Sequence, residues 1–273
     1  MAPYDIRRSM ATAPSMTSSP MAVIVGKGEA QRTFYVSKDA LLRNSGYFRA
    51  TCKGEWLGGN DGHSIPLPDD DPYAFEPFAR FADHGYVFSI ASTATIERLA
   101  ETDQPKIVAF GHELSFLASC WILGDKLLAT NFKDANLDAL VGLIHTTRRF
   151  PTSMHKRVYK STAGPNGFRR LLVDIAIHKW RVENLMEDRE WQEDSEFLKD
   201  VVVRYKELGG SLIEGRGPIY DGDCRYHEHG SGECYRTKTR TREVEVKESG
   251  WLGRWLCYLG RRKKKKRAYA LLV

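Results

Sequence analysis

Apolar positions along the chain change their period several times, and each change marks an element. Ala22-Val23-Ile24-Val25 and Arg32-Thr33-Phe34-Tyr35-Val36 are β-branched and aromatic runs separated by Gly26-Lys27-Gly28, which predicts a hairpin. Ser37 stands where it can cap a helix through Ala40-Leu41-Leu42, and Gly46-Tyr47-Phe48 stops that helix and begins another. Ile65-Pro66-Leu67-Pro68 has room for one short strand, and its prolines assign it to a sheet edge. Asp71-Pro72 then opens a helix with a capping carboxylate and a first-turn proline, while Asp69 and Asp70 favour the positive end of its dipole. Phe75, Phe78, Ala79 and Ala82 follow at helical spacing and Gly85 ends the run. Pro77 falls inside it, removes one backbone hydrogen bond at about 3 kcal/mol, and predicts a distortion.

Residues 89–111 are polar, show no sustained period and contain Pro105, so they are expected to form a loop insertion. Two helices follow, one with Leu114, Leu117, Ala118 and Trp121 on a single face, the other with Leu137, Leu140, Val141 and Ile144. Further helices fit Phe168 to Trp180 and Phe197 to Leu208, the latter with Leu198, Val201, Val202 and Tyr205 on one face and Gly209-Gly210 as its stop. Residues 1–20, rich in Ser, Thr, Pro and Ala, read as a disordered N-terminus. The fold class expected is α+β: a small β-sheet covered by α-helices, followed by a helical C-terminal extension. The expected division is 21–146 for the sheet-and-helix domain, 147–210 for the helical extension, 211–250 for a loop segment containing Cys and His, and 251–273 for a Trp-rich, polybasic tail.

Four fragments inside 21–146 carry a resemblance. Phe34-Tyr35-Val36-Ser37-Lys38-Asp39-Ala40-Leu41-Leu42 with Ser45-Gly46-Tyr47-Phe48-Arg49-Ala50 resembles the opening of a BTB/POZ domain: strand, short helix, then a Ser-x-(Tyr/Phe)-Phe turn. Ile65-Pro66-Leu67-Pro68-Asp69-Asp70-Asp71-Pro72-Tyr73-Ala74-Phe75 is similar to the strand and Asp-Pro-x-Ala-Phe helix of the fungal version. Ile122-Leu123-Gly124-Asp125-Lys126-Leu127 resembles its Leu-Ala-Asp-Lys-Leu helix, and Phe132-Lys133-Asp134-Ala135 with Leu137 through Leu140 resembles the helix after that. The fragments stand in family order over just under half the chain. The resemblance implies a non-catalytic adaptor for homotypic or heterotypic protein association, with a protein partner that could be a second copy. Some family members are cullin-binding substrate receptors. Those tend to carry an apolar residue, any residue, then Glu before the strand at Ile65, where this chain reads Trp56-Leu57-Gly58; Gly58 cannot supply the carboxylate, which weakens that expectation. Residues 1–20 also offer no amphipathic helix of the kind family dimers exchange. Tyr47, Phe48 and Trp56 are the candidate contact residues, because aromatic side chains supply much of the energy at interaction hot spots; core packing is the alternative role, and it suits Phe48 better than Trp56.

Charge alters the picture only at one end. The formal net charge of +6 is carried by Arg261, Arg262, Lys263, Lys264, Lys265, Lys266 and Arg267, which leaves the rest of the chain close to neutral. A near-neutral body does not present the broad cationic field that phosphate backbones select, so nucleic acid is not expected to bind there. The basic run itself is a candidate for nuclear import, for contact with an anionic membrane surface through Trp251, Trp255 and their neighbours, or for a solvated tail. Five cysteines without an apolar leader point to a reducing compartment, nuclear or cytoplasmic. No window reads as the roughly 18 to 20 apolar residues of a membrane span.

One constellation carries metal chemistry: Cys224-x2-His227-x-His229-x4-Cys234. Two thiolates and two imidazoles suit tetrahedral zinc, and His at i and i+2 on an extended segment face the same side. The spacing is tighter than in the usual fingers, and glycine-rich loops also carry solvated histidines, so zinc and an empty polar loop both stay open. A nucleic-acid-associated regulator using this segment and the basic tail is the alternative to the adaptor. No other cofactor is expected. Gly26-Lys27-Gly28 lacks the later glycine and helix of a dinucleotide loop, and no nucleophile-elbow, zincin or phosphate-loop pattern occurs. His63, His84 and His178 read as packing or surface residues, and no catalytic residue is assigned.

Overall fold

A computed structural model of the chain describes residues 18–53, 64–90, 105–152, 154–180, 195–209 and 217–237. Strands β1 (Pro20–Val25), β2 (Arg32–Ser37) and β3 (Ser64–Leu67) form one sheet in the order β2-β1-β3. The expected hairpin is there: β1 and β2 are antiparallel with Val23 opposite Phe34, and the turn between them uses Gly26 and Gly28 at positive φ. β3 lies parallel to β1 at the sheet edge, with Pro66 opposite Ile24, so its missing N–H costs no central ladder bond. Alternation sets the faces. Val23, Val25, Val36, Ile65 and Leu67 are buried, whereas Thr33, Tyr35 and Pro66 point outward and are exposed.

Helices α1 (Lys38–Asn44) and α3 (Pro72–His84) pack against β2, and α2 (Gly46–Lys53) packs on α1. The sequence signals at their ends act as expected. Ser37 Oγ accepts from the Ala40 N–H, Asp71 accepts from the Tyr73 N–H with Pro72 behind it, and Gly85 closes α3 at φ 78°. Pro77 sits within α3, which continues past it as a helix; the expected distortion does not interrupt it. Ser18 and Ser19 also depart from the expected disordered stretch: the Asp39 N–H reaches Ser18 Oγ, the Lys38 N–H reaches the Ser19 carbonyl, and Pro20 already belongs to β1. Residues 1–17 lie outside the described residues.

Helices α4 (Pro105–Lys126), α5 (Thr130–Thr147), α6 (Met154–Ser161), α7 (Gly167–Lys179) and α8 (Ser195–Glu207) complete the principal unit. α4 corrects the expectation of a loop for residues 105–111, because Pro105 begins the helix; residues 91–104 of the expected insertion lie outside the described residues. At the first helical position a proline loses an N–H that has no intrahelical partner anyway, so the residue read as a breaker is an initiator. Among the described helices, one stretch of α4, Ile107–Lys126, is long and apolar enough by length and composition to cross a membrane; a single such helix is a weak candidate, and there is no strong transmembrane signal. Here Leu114, Leu117, Ala118, Cys120 and Trp121 of that stretch are buried and α4 packs on α3, α5 and α6.

The sheet and the α4/α5 pair share one interior. A run of rings joins them: Phe34 to Phe75 at 5.1 Å, Phe75 to Phe78 at 5.7 Å, and Phe78 to Phe132 of α5 at 5.5 Å. On the other side of α4 and α5, Trp121, Leu137, Leu140 and Ile144 form a second cluster with Val158, Phe168, Leu171, Ile175 and Phe197 from α6, α7 and α8. Phe197 is completely buried and Val202 is 53% exposed, so the apolar face of α8 is rotated from the one read off the sequence. Arg169 pins this helical extension: buried itself, it donates to the Tyr159 carbonyl and to Glu196 at 2.9 Å, with its guanidinium 4.0 Å from the centre of the Tyr159 ring.

Candidate metal centre

Past a short 3₁₀ turn at Pro218–Tyr220, residues 221–231 run as a polar loop across α5 and α7. A segment with little apolar content must be held by polar contacts, and most of these are at least part-buried. The Tyr226 hydroxyl donates to Asp174 of α7 at 2.9 Å, and the Glu228 N–H donates to Asp134 of α5 at 2.9 Å. The Glu228 carboxylate accepts from the Gly167 N–H at 2.7 Å and pairs with the Lys133 ammonium. Lys133 also binds Asp125 at 2.6 Å and lies over the Trp121 ring. Arg170 donates to the Arg225 and His227 carbonyls. Gly167 makes room for this: a Cβ there would lie 1.9 Å from the Tyr226 carbonyl oxygen.

Charge and burial shift several of these groups. Burial is the largest influence on Lys133 and works to lower its pKa, but the hydrogen bonds and charges of Asp125 and Glu228 together outweigh it and hold the ammonium above its ordinary range. Burial raises Asp134, with the Glu228 N–H working against it. Burial also raises the Tyr226 phenol, reinforced by the Asp174 charge.

His227 sits between the two anchored residues Tyr226 and Glu228 and is buried, its side chain 2% exposed. Its Nε2 lies 3.0 Å from Asp138 Oδ1 on α5, and its Nδ1 lies 3.2 Å from Nε2 of His229. The Nδ1 of His229 lies 2.7 Å from the Gly230 carbonyl. Residues 232–237 continue the loop with a turn at Gly232 and a closing turn in which the Thr237 N–H and hydroxyl both donate to the Cys234 carbonyl. One ligand atom from each of Cys224, His227, His229 and Cys234 lies within 4.8 Å of the others, and no described cysteine forms a disulfide. The four residues singled out in the sequence are thus brought together. Cys224 is exposed, His229 is half-buried, and His227 and Cys234 are buried.

The sequence reading gave no place in this site to Asp138, Asp134, Lys133, Glu228 or Gly167. One signal was present: acidic residues four apart, Asp134 and Asp138, on a helix whose other marks are apolar. Of the candidate contact residues, Phe48 takes the core-packing role rather than the contact role. It is fully buried, stacked on Phe78 at 6.1 Å and edge-on to Phe75, and serves the core. Tyr47 is half-buried, its ring 5.3 Å from Phe48, while Trp56 and the basic run 261–267 lie outside the described residues. His84 is exposed against Phe88 and His63 is outside the described residues.

No protein-family model matches the chain, and no curated protein matches its sequence.

Proposed function

We propose that the chain is a non-catalytic protein-interaction adaptor of BTB/POZ type, built on its sheet and the helices through α5. The reading is supported by one observation above the rest: fragments that carry the resemblance, far apart in sequence, are direct contacts of one another. The Ser45 hydroxyl donates to the Leu127 carbonyl at 2.6 Å while accepting from the Phe48 N–H. The Gly46 and Tyr47 N–H groups donate to the Leu128 and Leu127 carbonyls. A Cβ at Gly46 would come within 2.9 Å of Leu128, so this turn tolerates nothing larger without a shift. Lys126 pairs with Asp70 at 2.8 Å, tying the Asp-Lys-Leu fragment to the Asp-rich one.

Two exposed aromatic side chains, one on the edge strand and one at the start of α3, are the contacts proposed for association. Tyr35 is 76% exposed on the edge strand β2, and Tyr73 is exposed with Arg32 stacked 4.6 Å from its ring centre. Cross-linking of the purified full chain and of the tagged chain in cells, with the linked peptides mapped by mass spectrometry, tests the proposal. The expected result is a stoichiometric protein partner, itself or another, linked through residues 18–147 and lost when Tyr35 and Tyr73 are changed to Glu in a chain that still folds. A chain monomeric at every concentration and without such a partner would overturn it. Filter binding tests the regulator reading, which predicts nucleic-acid affinity that disappears on removing 251–273.

A further inference from the structure

We propose that Cys224, His227, His229 and Cys234 hold one structural zinc ion, with Asp138 and the Gly230 carbonyl orienting the two imidazoles from behind. The inference is independent of the adaptor reading, and either could fail alone.

Nε2 of His227 faces a carboxylate and Nδ1 of His229 faces a backbone carbonyl, at 3.0 and 2.7 Å. Both partners accept hydrogen bonds, so each ring places its N–H outward toward them. That fixes the tautomers. Nδ1 of His227 and Nε2 of His229 are then both lone pairs, aimed at each other across 3.2 Å. Two acceptors at that distance require a shared cation, either a proton or a metal.

Distance and donor type distinguish the two. Two Zn–N bonds of about 2.0 to 2.1 Å at the tetrahedral angle place their nitrogens about 3.3 Å apart, close to the separation here. A shared proton explains the pair of rings and says nothing about sulfur. Yet the Sγ atoms of Cys224 and Cys234 fall within 4.8 Å of both rings and of each other without a disulfide between them. Two thiolates and two imidazoles are the soft, four-donor set that selects zinc in a closed tetrahedral site. Binding releases the two thiol protons, so the divalent charge is balanced by two sulfur anions.

A metal-bound His ordinarily donates its remote N–H to a carboxylate or a carbonyl, and here one ring has each. His227 is further held by its anchored neighbours, with Tyr226 on Asp174 and Glu228 on Asp134, Lys133 and Gly167. A preorganised loop gives up less entropy on binding, and the exposed Cys224 leaves a route for the ion to enter. With all four positions filled by protein, no site remains for substrate. The ion would act as a staple, fastening the Cys/His loop to α5 through His227 and Asp138.

The test uses the purified full chain. Elemental analysis is expected to find one zinc per chain, and cobalt replacing it should show the visible absorption of a tetrahedral sulfur-and-nitrogen site. Both are lost in Cys224→Ser/Cys234→Ser and kept in Cys52→Ser. Asp138→Asn keeps the metal but weakens it about 10- to 100-fold, the usual effect of losing an orienting carboxylate. Should the double variant fail to fold, the unaltered chain still decides: zinc should shield Cys224 and Cys234 from alkylation, and a chelator should remove the shield. A folded chain that takes up neither zinc nor cobalt would assign the shared cation to a proton and overturn the proposal. So would zinc that survives the double substitution, or alkylation at Cys224 and Cys234 that zinc leaves unchanged.

Discussion

Gly167→Ala is the smallest change that tests whether the Cys/His loop is part of the fold. The added Cβ would lie 1.9 Å from the Tyr226 carbonyl oxygen and 3.1 Å from Leu137 Cδ1. The first of these is backbone, which cannot rotate away, so the loop must lift. Lifting it breaks or stretches the bonds from the Gly167 N–H to Glu228, from Tyr226 to Asp174, and from the Glu228 N–H to Asp134. Hydrogen bonds to charged groups contribute about 1.5 to 3 kcal/mol each, and partial relaxation recovers some of that. Alanine in a helix regains at most about 1 kcal/mol over glycine, and less at this first position. The expected net loss is about 2 to 3 kcal/mol, read as a lower midpoint in urea unfolding followed by tryptophan fluorescence. Gly142→Ala is the matched control: exposed on α5 with nothing near its Cβ, it should stabilise by about 0.5 to 1 kcal/mol. A Gly167→Ala chain within about 0.5 kcal/mol of the parent would refute the docked loop.

Three further outcomes follow from the same contacts. Lys133→Met leaves Asp125 and Glu228 charged without their shared cation and should cost about 3 to 5 kcal/mol at neutral pH. Because the folded pKa of Lys133 is raised above its ordinary 10.5, that contribution is complete below 10.5 and lost as pH climbs through the higher folded value; a stability difference that shrinks from neutral pH upward to 10.5 would contradict the pairing. Burial, aided by the Asp71 charge, pushes the Cys120 thiol up to about 12. At pH 8 roughly one such thiol in ten thousand is ionised, so alkylation in the native chain should label Cys52 and spare Cys120 until urea unfolds it. Phe48→Ala should cost about 3 to 5 kcal/mol as a core truncation, against a much smaller loss for Tyr47→Ala; equal, small losses in thermal melts would return Phe48 to the surface.

The sequence was readable where structure is decided locally. Caps at Ser37 and Asp71, the stop at Gly85 and the two-period hairpin depend on a few neighbouring residues, and each is found where the pattern places it. The reading faltered where tertiary contacts decide. Pro105 is compatible with a loop and with a first helical turn, and only the apolar face of α4 settles which. Phe48 and Tyr47 are adjacent aromatics in one fragment, but the close seat of Gly46 on Leu128 fixes α2 so that Phe48 turns inward. At the metal centre the four ligands were visible because they share one short stretch. Asp138 lies 89 residues from His227, and no local signal couples them.

Ligand geometry and loop docking draw on a single free energy, because His227 has an anchored residue on each side. Whatever lifts Tyr226 and Glu228 off α5 and α7 also moves His227 relative to Asp138. A metal that binds only the docked loop stabilises the native chain as its concentration exceeds its dissociation constant. Reciprocally, each 1.4 kcal/mol that a substitution adds to the cost of docking weakens the metal about tenfold. The loss expected for Gly167→Ala therefore corresponds to a drop in zinc affinity of roughly 30- to 150-fold, with no ligand touched. Competitive titration against a zinc chelator measures it beside the urea midpoint. If the stability fell as expected while the zinc affinity stayed at the parental value, the anchors on Tyr226 and Glu228 would hold the loop without positioning its imidazoles, and His227 would owe its place to Asp138 alone.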